Sequence, residues 1–107
     1  MTRWCVQRRI AEVLNTAEAT YTDVFESARP WMGRQYRRRR DREAADELQG
    51  AVRAMYETVQ RLERIARSAA EAEDERTLDR ELEDARQLLR GFDEQSRSAR
   101  RAIRALE

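Results

Sequence analysis

Histidine and lysine are both missing from this 107-residue chain, and cysteine, proline and glycine are scarce. Without histidine there is no imidazole base and no histidine metal ligand. The single cysteine, Cys5, has no partner for an intrachain disulfide and no histidine to activate it as a nucleophile. Beside Trp4 and Val6, near a helix start, it reads as an inert or buried thiol, with an intermolecular bridge as the alternative. No glycine-rich loop offers a phosphate cradle. The acids from Glu73 to Asp84 alternate around a helix and lack the spacing of a calcium loop. The chain is therefore not expected to be an enzyme, and neither a metal nor a cofactor is expected. No apolar run approaches a signal h-region or a membrane span, so the expectation is a cytoplasmic protein without membrane contact.

One proline and three glycines leave little turn chemistry. What remains is rich in Ala, Glu, Leu and Arg, a composition that reads as nearly all helix in a single domain, residues 1–107. The apolar fraction is 40% and much of it is alanine, so the core must be a thin seam between helices. Such cores commonly gain stability from assembly.

Three stripes carry that seam. In the first, Ile10, Leu14, Ala17, Tyr21, Val24 and Ala28 follow one another at alternating spacings of four and three. Pro30 ends it, because the residue before a proline is pushed out of the helical region, and the same proline can open a following helix. The second stripe is Leu48, Val52, Met55, Val59, Leu62, Ala66 and Ala69. The third is Leu78, Leu82, Ala85, Leu89, Phe92, Ser96, Ala99, Ile103 and Leu106. Gly91 lies inside the third and costs about 1 kcal/mol relative to alanine without ending it. Continuing the second stripe by heptads lands on Glu73, Arg76, Arg80 and Glu83. The third is displaced by two residues, about 200° around a helix at ~100° per residue. A turn near residues 71–77, with Asp74 or Thr77 as helix cap, explains the switch better than one continuous rod. The expected architecture is all-α: an elongated up-down-up three-helix bundle or antiparallel coiled coil, with helices at about 3–28, 34–71 and 77–106.

Charge is sorted along this frame. Residues 29–42 hold seven arginines and one acid, for +6; residues 71–84 hold eight acids and two arginines, for −6; residues 97–104 hold four arginines and no acid. In an up-down-up bundle the two basic segments share one end and the acidic segment forms the other. Local i,i+4 pairs (Arg37 with Asp41, Arg39 with Glu43, Arg42 with Asp46) could neutralise part of the run, each contributing about 0.2–0.5 kcal/mol. They cover about half of it. The remaining charge calls for counterions, a polyanion or an acidic partner. Arg34, Arg37, Arg38, Arg39, Arg40 and Arg42 are thus candidate phosphate contacts, with Arg97, Arg100, Arg101 and Arg104 extending the track. The exclusive use of arginine suits bidentate phosphate contacts, and also follows from GC-rich coding. Trp31 and Tyr36 interleave with the run as candidates for stacking on bases. Trp31, beside a helix turn, reads more readily as a cap over the bundle end, and Tyr36, among polar neighbours, as the more exposed ring.

Trp31-Met32-Gly33 between two helices resembles the WXG100 family of small secreted helical hairpins. That family's secretion signal, a tyrosine followed four residues later by an acid, has no counterpart: Tyr21 is followed at that distance by Phe25, Tyr36 by Arg40 and Tyr56 by Gln60. The third stripe is also surplus to a hairpin. In size, helicity and basic patches the chain is similar in type to the small subunits of multi-subunit CRISPR effector complexes and to phage assembly factors. The leading expectation is a non-catalytic helical subunit that binds a nucleic-acid backbone, with little sequence readout, inside a larger assembly. The alternative is a protein–protein adaptor or self-assembling coiled coil whose opposite poles pair, giving a homo-oligomer; the third reading is a WXG100-like secreted helical protein.

Overall fold

The computed structural model of the chain describes residues 2–107. Three helices account for almost all of it: α1 (Arg3–Ala28), α2 (Arg39–Glu71) and α3 (Glu75–Leu106), with a single 3-10 turn, Arg29–Trp31, after α1. The chain is 89% helical, with no strand among the described residues. Each helix packs on both of the others, and α2 with α3 forms the most extensive interface. The rod measures 55 × 18 × 16 Å. Its radius of gyration is 16.6 Å, against about 13 Å for a globule of this length. The expected elongated three-helix bundle is therefore the fold.

The stripes become the seam. Ile10, Ala17, Val24 and Ala28 of α1 are buried, as are Leu48, Val52, Met55, Val59, Leu62 and Ala69 of α2, and Leu78, Leu82, Ala85, Phe92, Ser96, Ala99 and Ile103 of α3. Ala44, Ala51, Thr58 and Ala102 are buried as well. Ala44 extends the second stripe by one turn, and the other three lie beside the stripes, because each helix faces two neighbours and needs an arc wider than a two-stranded seam. Small residues there let three backbones approach. The buried Thr58 hydroxyl lies 3.0 Å from the Ala54 carbonyl oxygen and 3.1 Å from Gln95 Oε1. The Gln95 contact ties α2 to α3, while the Ala54 carbonyl keeps the hydroxyl paired within its own helix.

The ends are set by specific groups. Thr2 caps α1, its side chain accepting from the Cys5 N–H at 3.3 Å. The stripe displacement resolves as a three-residue turn, Ala72 to Asp74, and of the two candidate caps Asp74 is the one used. Its carboxylate accepts from the Arg76 N–H at 3.0 Å and the Thr77 hydroxyl at 2.9 Å. α3 therefore begins at Glu75, two residues before the expected start. Where α1 meets α2, Gln7 Nε2 donates to the Ala69 carbonyl at 2.9 Å and satisfies one of the last acceptors of α2.

The second helix differs from expectation. It starts at Arg39 instead of 34. Gly33 takes φ 73°, a left-handed conformation that turns the chain out of the 3-10 turn. The segment that follows is then held non-helical from outside the backbone. Tyr36 donates its hydroxyl proton to the Trp31 carbonyl at 2.6 Å. A helix begun at residue 34 would also stack Arg34, Arg38 and Arg42 along one stripe, where like charges repel.

Candidate nucleic-acid interface

Arg34, Arg37 and Arg38 belong to this non-helical segment, while Arg39, Arg40 and Arg42 open α2. All six are exposed. The up-down-up path returns the end of α3 to the same place. Arg38, Arg40 and Asp41 line a depression of about 310 Å³ together with Arg104, Leu106 and Glu107. Two basic segments far apart in sequence thus share one end of the rod. At the opposite end, Arg3 and Val6 of α1 share a smaller depression with Glu75, Leu78 and Asp79.

The other three C-terminal arginines are arranged differently. At ~100° per residue, Arg97, Arg100, Arg101 and Arg104 fall within one arc of about 100°, opposite the buried Ala99 and Ile103. They form an exposed ridge running about 10 Å back from the tip at ~1.5 Å per residue. Arg104 meets the 38–40 segment, whereas Arg97, Arg100 and Arg101 extend the positive surface along the outside of α3. Arg97 is partly compensated by Glu94 at 3.4 Å, and Arg101 donates to the Ser98 hydroxyl at 3.1 Å.

Pairing within the run is sparser than its spacing allows. Of the three expected i,i+4 pairs only Arg39 with Glu43 forms, at 3.0 Å. Arg37 lies outside the helix, so it has no helical register with Asp41. Arg42 turns the other way and donates from Nη1 to the Arg37 carbonyl at 2.9 Å, which braces the entry to α2. Most of the positive charge is left facing solvent. Both side chains of the Arg39–Glu43 pair are largely exposed, so its net contribution is small.

The start of α2 reinforces that field. Arg38 occupies the cap position at φ −80° and ψ 136°, with no side-chain hydrogen bond to the first N–H groups. α1 and α3 both have capping oxygens; α2 does not. Its free N–H groups and the positive end of its dipole open among arginines. Oriented N–H groups with guanidinium groups are a natural anion receptor. The sequence carried this signal, since residues 33–38 contain no Ser, Thr, Asp or Asn.

The two aromatic candidates are built into the loop. Trp31 is half-buried and packs against the core, as a cap over the bundle end. Tyr36 is also half-buried and less exposed than its polar neighbours suggested, because its hydroxyl is tied to Trp31. The Arg34 guanidinium carbon sits 5.5 Å from the Trp31 ring centre and 5.8 Å from that of Tyr36. Arg34 thereby presents a planar cation over a rigid aromatic pair.

A different surface escaped the sequence reading. On the flank between α1 and α2, the Tyr21 ring is stacked 5.8 Å from Phe25 and lies 5.9 Å from Tyr56. Phe25 is 36% and Tyr56 49% exposed. Desolvation, and then the neighbouring Tyr56, raise the Tyr21 hydroxyl above its ordinary pKa. Tyr21 was assigned to the seam by its stripe position; only the packing shows that it also joins two exposed rings.

No group of three or more acidic or cysteine side chains converges to hold a metal among the described residues. No helix among them is long and apolar enough to cross a membrane. No protein-family model matches the chain, and no curated protein or solved structure is significantly similar to it.

Proposed function

We propose that this chain is a non-catalytic helical subunit that binds a nucleic-acid backbone through its arginine-rich end, within a larger assembly in the cytoplasm. The observation that carries the reading is the junction of Arg38 and Arg40 with Arg104 around the uncapped start of α2. Three separate sources of positive potential meet there, offset in part by Asp41 and Glu107 at the same depression and by the Arg39–Glu43 pair. Phosphates at regular spacing are the anions such a surface accommodates, and contacts to them need no base edge. The ridge of Arg97, Arg100 and Arg101 gives the strand a continuation along α3.

The test replaces Arg34, Arg38 and Arg40 with Gln. The fold should survive, since all three side chains are exposed. Binding to oligonucleotides should weaken, and the slope of log affinity against log salt should flatten by roughly one unit per lost phosphate contact. A parent protein that ignores oligonucleotides even at low salt would falsify the proposal.

The exposed cluster of Tyr21, Phe25 and Tyr56 supports the adaptor reading as an alternative. Contiguous aromatic surface on a small, highly charged rod suits a protein contact, and tyrosine is enriched at such contacts. That flank also provides a place where a nucleic-acid-binding subunit could join its neighbours. A WXG100-like hairpin, by contrast, has no counterpart to α3, which packs along both other helices.

A further inference from the structure

At the basic end, the 31–36 loop and the first turns of α2 enclose a cleft of about 470 Å³, within the roughly 300–1,000 Å³ typical of small-ligand sites. Resting on the backbone-binding reading above, we propose that this cleft receives one unpaired guanine base from the bound single strand.

Three observations converge on it. The first is a stacking surface: Arg34, Trp31 and Tyr36 all line the cleft, and the exposed guanidinium plane lies over the two rings. Splayed bases stack on such planes. The second is preorganisation. The Tyr36–Trp31 hydrogen bond and the Arg42–Arg37 brace hold the walls without a ligand, so little ordering cost remains.

The third is a hydrogen-bonding edge. Asp46 also lines this cleft. It forms no ion pair among the described residues, because Arg42, its expected i,i+4 partner, is committed to the Arg37 carbonyl. Gln49 lies one turn further on the same face of α2 and lines the same cleft. An unpaired carboxylate beside a carboxamide matches the Watson–Crick edge of guanine. Asp46 would accept from N1–H and N2–H, and the Gln49 amide would donate to O6. Other bases lack two adjacent donors followed by an acceptor.

The experiment uses the intact chain carrying Trp4→Phe, which leaves Trp31 as the sole tryptophan. Short oligothymidylate strands are titrated in three forms: unmodified, with one central guanine, and with an abasic site at that position. The guanine strand should bind at least about fivefold tighter than the other two, the lower end of a bidentate base contact. It alone should shift Trp31 fluorescence. Asp46→Asn removes a negative charge; a purely electrostatic role would raise affinity for all three strands equally. The guanine-pocket role requires Asp46→Asn and Gln49→Ala each to abolish the preference, with the helical circular dichroism unchanged. If all strands bind equally and Trp31 is silent, the pocket is wrong while the backbone reading stands. If none binds at low salt, both fail together.

Discussion

Leu82 and Arg80 sit two residues apart on α3 and face opposite ways, one 6% exposed in the seam and the other in solvent. Leu82→Asp forces a carboxylate against Val6, Ile10, Ala69 and Leu78. It should cost at least ~3 kcal/mol, lowering the melting temperature by about 12 °C or more. Arg80→Glu should stay within about 0.5 kcal/mol. Thermal melts of the two variants check the seam directly, and equal tolerance would show that the stripe is not a packing surface. Gly91 is exposed within α3 and a methyl group there would meet nothing within 4 Å. Gly91→Ala should therefore stabilise the protein by ~0.5–1 kcal/mol, read as a raised denaturant midpoint. Asp74 brings a pH dependence. Hydrogen bonds from the Arg76 N–H, then from the Thr77 hydroxyl, hold its carboxyl below the ordinary value. Its folded pKa is depressed, so the cap's contribution is complete above the ordinary carboxylate pKa. That contribution is lost as pH falls through the depressed value. Asp74→Asn keeps a capping oxygen and should flatten this part of the acid response in melts run from neutral to acid pH.

The start of α2 sets stability against binding. Arg38 stands at the cap position without a capping oxygen. Arg38→Asp supplies one and should add about 0.5–2 kcal/mol of stability, while weakening oligonucleotide binding at the same surface. Melting temperature and affinity should move in opposite directions; a loss of both would place Arg38 in the fold's support and not at its interface. The extent to which elements could be read in advance follows the same physics. All three stripes, the break at Pro30 and the turn capped by Asp74 were legible, because periodicity and capping are local. The start of α2 was not. It depends on Gly33 turning the chain and on Tyr36 reaching Trp31 five residues back, contacts that residue types alone do not announce. The same applies to charge. The arginines were visible as candidates, but their pairing was not, since Arg42 chose a carbonyl over Asp46. The aromatic flank also escaped notice, because Tyr21 and Tyr56 meet only when α1 and α2 align.

At the scale of the molecule, the arginine-rich and acidic segments lie toward opposite ends of a rod 55 Å long. Sedimentation of the protein alone separates the two readings. Self-association at low salt that vanishes at physiological salt is expected if poles pair end to end, since exposed charges are screened over about 8 Å there. A monomer at both, with oligonucleotide binding intact, supports the nucleic-acid reading. The three-residue turn between α2 and α3 has a further, kinetic consequence. It closes the most extensive interface in the molecule with almost no loop to immobilise, whereas α1 must be joined across the 32–38 segment and must then contact both partners. Chain-closure entropy favours the α2–α3 hairpin as the folding nucleus, with α1 docking afterwards. Mutations should then divide by rate. Phe92→Ala, in the hairpin's half of the seam, should chiefly slow refolding, while Val24→Ala on α1 should chiefly speed unfolding. Native-state hydrogen exchange should find α1 opening before the other two helices, leaving a transient hairpin with its apolar face bare.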